Sequence, residues 1–407
     1  MNQAEIKVYG YRWLVLAVFM LITAMNQAAW ITFAPITSAA AEFYRTSDLV
    51  IGLLSMIFMV IYVLIVIPAA WMIDTLGFRL AVSIGALLTA AGALLRGFLA
   101  ASLTAVIVAQ IVIAVGQPLV LGAITKLAAR WFASGERATA SGLGTLAIYL
   151  GILLAMLVTP GLSLRYGMRG MLLLYGVAST AAAVLFVALA RERPRTPPGP
   201  PGQEERALMF DGLKSLFRNR DFVLLMVIFF IGLGMFNGVT TWIEAIVRPR
   251  GFSISQAGLA GGLMLIGGIL GAVIVPLISD SRRIRRPFII LALIGLLPGL
   301  LGVTFAASYW LLLASSFLFG FFLLSAGPIG FQYGAEISHP APEGTSNSLL
   351  LVMGQISGIL FIFGMEAFKL PSGSMTSSLT VLLGLTVIAV VLAFLLRESP
   401  IRGAAGR

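Results

Sequence analysis

The sequence has no cysteine and a single histidine, His339. That excludes a disulfide framework, a thiolate metal centre and a cysteine nucleophile. One imidazole without a thiol also supplies neither a metal cluster nor a nucleophile–base pair, so no metal, no other cofactor and no catalytic residue are expected. Charge is scarce as well: 11% of residues are charged and 59% are apolar. No Gly-Lys-Ser/Thr follows any of the glycine runs, which removes a phosphate-binding loop and an ATP-driven pump. What fills the chain is long apolar segments. They exceed the ~20 residues that a membrane-spanning helix needs. Backbone groups in lipid must pair within their own segment, so these stretches are expected to be helices. Their even apolar character argues against a barrel, whose strands alternate over ~10 residues.

The expected fold is an all-α membrane protein of twelve spans, at 12–37, 48–73, 79–101, 103–130, 136–162, 168–190, 221–247, 254–279, 287–306, 309–336, 344–367 and 374–396. The stretch between spans six and seven holds Pro194, Pro197, Pro198, Pro200 and Pro201, followed by Gln203-Glu204-Glu205-Arg206. Such a composition cannot bury a core and reads as a tether. The domain expectation is therefore a six-helix bundle at 1–190, a cytoplasmic linker at 191–220 and a second six-helix bundle at 221–407.

Net charge is +11, which in a soluble chain would suggest nucleic acid. Its distribution argues otherwise. With both termini cytoplasmic, twenty of the 27 Lys and Arg residues fall on the inner side and seven on the outer. This is the positive-inside bias, so the charge encodes orientation in an inner (plasma) membrane. The partner is a lipid bilayer, not a nucleic acid.

Two loop patterns recur. Asp74 ends an apolar helix and is followed by Gly77 and Arg79; Asp280 does the same 206 residues later and is followed by Arg282, Arg283, Arg285 and Arg286. Glu136 and Arg137 lead into Gly151-Ile152-Leu153-Leu154, and Glu343 leads into Gly358-Ile359-Leu360-Phe361, each 207 residues apart. A duplicated membrane bundle accounts for both offsets. Gly77 permits a tight turn, Asp74 is suited to accept N–H groups at a helix start, and Arg79 is free to pair with a carboxylate such as Glu136. Together these groups read as an inner latch.

The twelve spans, the tether and Asp74-Thr75-Leu76-Gly77-Phe78-Arg79 resemble the major facilitator superfamily over the whole chain. Further motifs resemble one branch. They are Ala29-Trp30-Ile31, Pro68-Ala69-Ala70-Trp71-Met72-Ile73-Asp74, Gly116-Gln117-Pro118, Leu127-Ala128-Ala129-Arg130-Trp131-Phe132, and Gly334-Ala335-Glu336-Ile337-Ser338-His339-Pro340 with Glu343-Gly344-Thr345-Ser346. This set is similar to the feline leukaemia virus subgroup C receptor-related proteins, the heme- and choline-associated solute carriers. The resemblance implies a monomeric carrier of a small molecule with a mid-membrane cavity, and it adds Arg130, Glu336 and Glu343 to the gating residues.

Bare polar groups in lipid are costly, so those at mid-span tend to face the interior. They are Asn26, Gln27, Gln117, Tyr149, Asn237, Thr240, Thr241 and Gln355, with Trp30 and Trp242 towards the outer half. The resemblance makes Trp30 part of a cage for a quaternary ammonium, and an indole face does attract a cation. It also matches Gln355 to a family position. It places a family glutamine near Tyr149 and a family aromatic near Thr241, where this chain departs from the pattern. No Lys or Arg sits at the bilayer centre, which leans towards a neutral or cationic solute. The resulting expectation is a secondary active or facilitative carrier of a small organic solute, with a choline- or ethanolamine-like amine as first candidate. A proton-coupled carrier of another metabolite or drug is the alternative. Outside transport, a membrane receptor or enzyme lacks the soluble domain or the nucleophile it would need.

Overall fold

The structure, a computed structural model, describes residues 9–196, 213–338 and 343–399, with no side-chain description at Ser134, Leu213, Glu343 and Gly344. Residues 197–212 of the linker and His339 lie outside the described residues. The fold is all-helical among them. Eleven helices are long and apolar enough to cross a membrane. The longest, Arg137–Leu189, kinks at Gly167, whose φ of 66° and ψ of 179° are open only to glycine. It therefore supplies spans five and six, and the chain crosses twelve times.

Spans two and three are Asp48–Leu76 and Phe78–Phe98, separated only by Gly77 at φ 94°. Spans eight to twelve are Ile254–Arg282, Arg286–Phe305, Tyr309–Ile337, Glu343–Ala367 and Thr376–Leu395. Short polar side chains start several of them. Ser102, Ser253 and Ser308 each accept the N–H three residues on, and Asn219 accepts from Asp221 and Phe222. The helix ends that carry Asp74 and Asp280 are called inner here, and the opposite ends outer. A short helix, Leu213–Arg218, precedes span seven.

Three spans are not continuous, contrary to the apolar pattern. Span one ends at Ile31, passes through a 3₁₀ turn at Ala34–Ile36 and resumes as Thr37–Tyr44. Span seven, Arg220–Thr241, ends at Trp242, and Ile243–Val247 forms a separate turn of helix. Span four divides into Leu103–Leu121 and Ile124–Trp131, one turn beyond Pro118. Pro118 has no N–H for the Ala114 carbonyl, so the turn that precedes it lacks one helical hydrogen bond. The breaks in spans one and seven fall 210 residues apart, so the duplication extends to them.

Two compact units result. One comprises Met1–Thr32, Val60–Ala155 and Leu162–Leu208, the other Phe33–Met59, Met156–Gly161 and Met209–Arg407. The boundary at Thr32 coincides with the break in span one, so the outer piece of that helix packs with the second half of the chain. Small residues let helices approach within each unit. In the first, a Cβ on Gly85 would meet the Gly116 carbonyl oxygen at 2.7 Å, and one on Gly151 would collide with the Ala24 carbonyl. In the second, Gly267 and Gly271 of span eight lie on the backbone of Phe317 and Phe321, and Gly320 of span ten on that of Met264. The crowded glycines of span eight are thus packing residues.

Candidate functional site

The inner end of the first unit is built around a residue that the loop motif does not contain. The Glu192 carboxylate accepts the N–H groups of Phe78 (3.2 Å) and Arg79 (2.7 Å), the first of span three, and pairs with Arg130. Gly77 brings it there, because any Cβ at that position would strike the Glu192 carboxyl. Asp74 instead receives Lys126, which donates to its Oδ1 at 3.2 Å and its backbone oxygen at 3.0 Å. The first two amides of span three thus go to Glu192, where the loop motif suggests Asp74. The Arg79–Glu136 pairing is corrected too. Glu136 takes Arg12 at 3.0 Å, while the Arg79 guanidinium donates to the Val187 carbonyl. Arg137 closes back on the Phe132 carbonyl at 3.3 Å.

The second unit repeats the node 206 residues on. Arg285 pairs with Asp280 and with Glu336 (3.0 Å), and Glu398 accepts the N–H groups of Arg285 (2.8 Å) and Arg286 (3.3 Å) at the start of span nine. Positions 74, 79, 130 and 192 thus correspond to 280, 285, 336 and 398. Only the third pair changes sign, Arg130 becoming Glu336, and its partner changes with it. The Arg285 guanidinium, between the two carboxylates, is held above its ordinary range by them despite burial, which works the other way. Sequence reasoning missed Glu192, Glu398 and Lys126. A signal for the first two existed: Arg191-Glu192-Arg193-Pro194 returns as Arg397-Glu398-Ser399-Pro400 at the same offset. The Glu343 side chain lies outside the described residues.

Of the candidate solute-binding residues, Asn26, Gln27, Trp30 and Gln117 are all buried in the first unit. The Asn26 amide donates to Thr89 Oγ1 at 3.0 Å and to the Ile113 carbonyl at 3.5 Å, and it accepts from Gln27 at 3.3 Å. Those bonds tie span one to spans three and four. Tyr149, on span five, is half-buried. Beside Trp30, Arg96 is fully buried and donates to the Ala29 carbonyl (3.0 Å), to Gln110 Oε1 (2.8 Å) and to Thr32 Oγ1 (3.3 Å). Arg96 and Lys126 are both enclosed by the protein.

In the second unit Asn237 donates to the Gly354 carbonyl at 3.2 Å, next to half-buried Gln355 on span eleven. Trp242 is fully buried and donates to the Ile362 carbonyl at 3.1 Å, and its ring occupies the space where Gly52 lacks a side chain. It anchors the break in span seven. Thr240 and Thr241 are buried, and their hydroxyls have no hydrogen-bond partner. Buried Thr32, Thr89, Thr304 and Thr386 donate to the carbonyl four residues back, which the two at the break, like Thr23 in the first unit, do not.

The outer end of this unit carries a further charged network. Arg248 grips Asp48 through both terminal nitrogens (2.5 and 3.4 Å), and Lys369 reaches Asp48 at 3.1 Å and Glu366 at 3.3 Å. Glu244 accepts the Ser38 N–H (3.1 Å) and hydroxyl (2.7 Å) and lies 3.5 Å from Arg248. Asp48 links the two cations.

A duplicated twelve-helix bundle with matching inner nodes defines a class of membrane transport protein, and comparison agrees. Residues 19–362 match the Major Facilitator Superfamily, and the chain belongs to that family of transporters of small solutes. It is an integral, multi-pass membrane protein and not an enzyme. Among its relatives, solute carrier family 49 member A3 of Xenopus tropicalis is 30% identical over 390 residues, covering 91% of this chain and 80% of that protein. The choline/ethanolamine transporter FLVCR2 of Homo sapiens is 28% identical over 411 residues, covering 96% and 78%. These place the chain with the feline leukaemia virus subgroup C receptor-related branch. In fold it resembles a bacterial homologue of the human lysosomal transporter Spinster (TM-score 0.75, 17% identity, 96% of this chain and 97% of that one). A D-xylose–proton symporter is as similar (TM-score 0.75, 15% identity, 95% and 98%).

Proposed function

We propose that the protein carries a small organic amine of the choline or ethanolamine kind by alternating access, as a monomer in the plasma membrane with both termini cytoplasmic. The observation that carries this reading is the relatedness to a choline/ethanolamine transporter along 96% of the chain. Trp30 supports it as a ring for the ammonium group. The free hydroxyls of Thr240 and Thr241 support a solute that itself bears a hydroxyl. Gln117 and Tyr149 in the first unit, and Asn237 and Gln355 in the second, are each proposed as polar residues of the transport path. The nodes at Asp74–Arg79–Arg130–Glu192 and Asp280–Arg285–Glu336–Glu398 are proposed as inner latches, and the network at Asp48 as an outer one.

The test is flux of labelled choline and ethanolamine into proteoliposomes, paired with thermal shifts of purified protein against amines, amino acids, organic acids and heme. An ammonium over an indole face gains about 0.5–2 kcal/mol. Trp30→Ala is therefore expected to weaken amine binding about 2- to 30-fold, with the amine alone shifting the wild type. An organic acid that stabilises wild type and Trp30→Ala equally, with no amine effect, refutes the amine reading.

A further inference from the structure

The outer network holds three carboxylates, Asp48, Glu244 and Glu366, against two cations, Arg248 and Lys369. One negative charge is in excess. Asp48 is shared by both cations. Glu366 has Lys369 and a side chain 21% exposed. Glu244 is the driest of the three, with 1% of its side chain exposed and its cation at 3.5 Å already engaged by Asp48.

Among the described residues, the elements packed against the Ile243–Val247 turn bring no further cation to the Glu244 carboxylate. Among the elements packed against the Ile243–Val247 turn, the Ala34–Ile36 turn has no titratable group, and the charges of spans seven and eight, Arg220, Asp221, Asp280 and Arg282, sit at their inner ends. Thr37–Tyr44 carries only Glu42, which is exposed, and Tyr44, and Arg45 follows it into solvent. On the Arg248–Arg250 turn, Arg250 donates to the Ala306 and Ile246 carbonyls.

We infer that Glu244 is a proton-binding site, and that one proton is taken up when the outer pieces of spans one and seven clamp together through Ser38. The inference rests on the transporter reading, in which this end opens and closes. A neutral Glu244 keeps both bonds to Ser38: its carbonyl oxygen accepts the N–H, and its hydroxyl exchanges a hydrogen bond with Ser38 Oγ. Protonation brings the five-residue network to zero net charge, and burying a neutral acid avoids the cost of a dry carboxylate whose one cation is shared with Asp48. The sign follows. The clamped arrangement binds the proton more tightly than an opened one in which Glu244 meets water. Acid therefore favours clamping, and the preference is lost as pH rises and the proton leaves.

The absence of cysteine makes the test direct. A single Cys replacing Ala245, fully buried on the same turn, reports opening by its maleimide labelling rate in liposomes. Rates are normalised at each pH to Ser372→Cys on the exposed loop between spans eleven and twelve. Labelling is expected to slow as pH falls from 8 to 5, by up to about tenfold per unit, the limit for one proton. Glu244→Gln is expected to label slowly at every pH with no slope. Ser38→Ala removes a bond that favours the charged form, so its midpoint is expected to move to higher pH, and it decides the matter if Glu244→Gln does not fold. A flat wild-type profile, a slope that survives Glu244→Gln, or an unmoved midpoint in Ser38→Ala overturns the inference. The labelling needs no solute, so a chain with the slope but no amine flux rejects only the amine.

Discussion

Replacing Glu192 by alanine removes two separable interactions from the first unit. Span three begins at Phe78 with Gly77 as its cap residue, and Gly77 offers no side chain. The Glu192 carboxylate does that task from a distant part of the chain, taking two amides. Losing a helix cap costs about 0.5–2 kcal/mol. The second loss is the pairing with Arg130. Here 26% of the Glu192 side chain and 15% of the Arg130 side chain remain exposed. An ion pair this wet is worth nearer the ~1 kcal/mol of a good surface pair than the ~3–5 kcal/mol of a buried one. The sum is about 2 kcal/mol. At roughly 2–4 °C per kcal/mol for a body of this size, detergent-solubilised Glu192→Ala should melt about 4–8 °C below wild type. Glu192→Gln keeps an amide oxygen for span three but no charge for Arg130, so it should lose about half as much. Glu398→Ala tests the repeat: it removes the matching cap from span nine, where Arg285 keeps its own carboxylates, and should cost about 1 kcal/mol. A Glu192→Ala protein that melts within about 1 °C of wild type refutes the capping argument. A Glu192→Gln protein as unstable as Glu192→Ala refutes the division between cap and ion pair.

Two further outcomes are expected from packing. Gly320→Ala thrusts a methyl into the Met264 backbone between spans eight and ten, and should lower stability by about 1–3 kcal/mol, seen as reduced yield and an earlier thermal transition. Arg96→Lys cannot reach all three acceptors at the end of span one and should cost about 1–3 kcal/mol, with Arg96→Met costing more, in the same melting assay.

The membrane class, the number of crossings and the duplication were legible because each depends on local apolar length or on motifs that return at one offset. The inner nodes were legible only in part. Asp74, Arg79, Asp280 and Glu336 announce themselves in loop motifs. Glu192 and Glu398 follow long apolar helices and look like solvated charges until folding brings them against spans three and nine. Asn26 and Gln27 were legible as deep polar residues, but which neighbours their amides meet depends on helix rotation, which one apolar helix leaves unspecified. The breaks at Thr32 and Trp242 were invisible for a related reason. Thr32, Pro35, Thr240, Thr241 and Glu244 stand at or near them, but the apolar residues on either side are numerous enough for each segment to read as one span.

By itself the amino-acid sequence determined that this chain lives in a bilayer as a twice-repeated set of helices. Lipid imposes that outcome on any backbone whose amides must pair internally, and a repeated loop needs no partner to be recognised. Only the tertiary structure decided which charges meet: Lys126 and not a helix start at Asp74, Arg12 and not Arg79 at Glu136, and three carboxylates around two cations at Asp48. Pairings such as Asp74–Lys126, 52 residues apart, and Asp48–Lys369, 321 apart, depend on the register and rotation of packed helices. Those are set by glycine contacts and helix breaks whose energies no single segment contains.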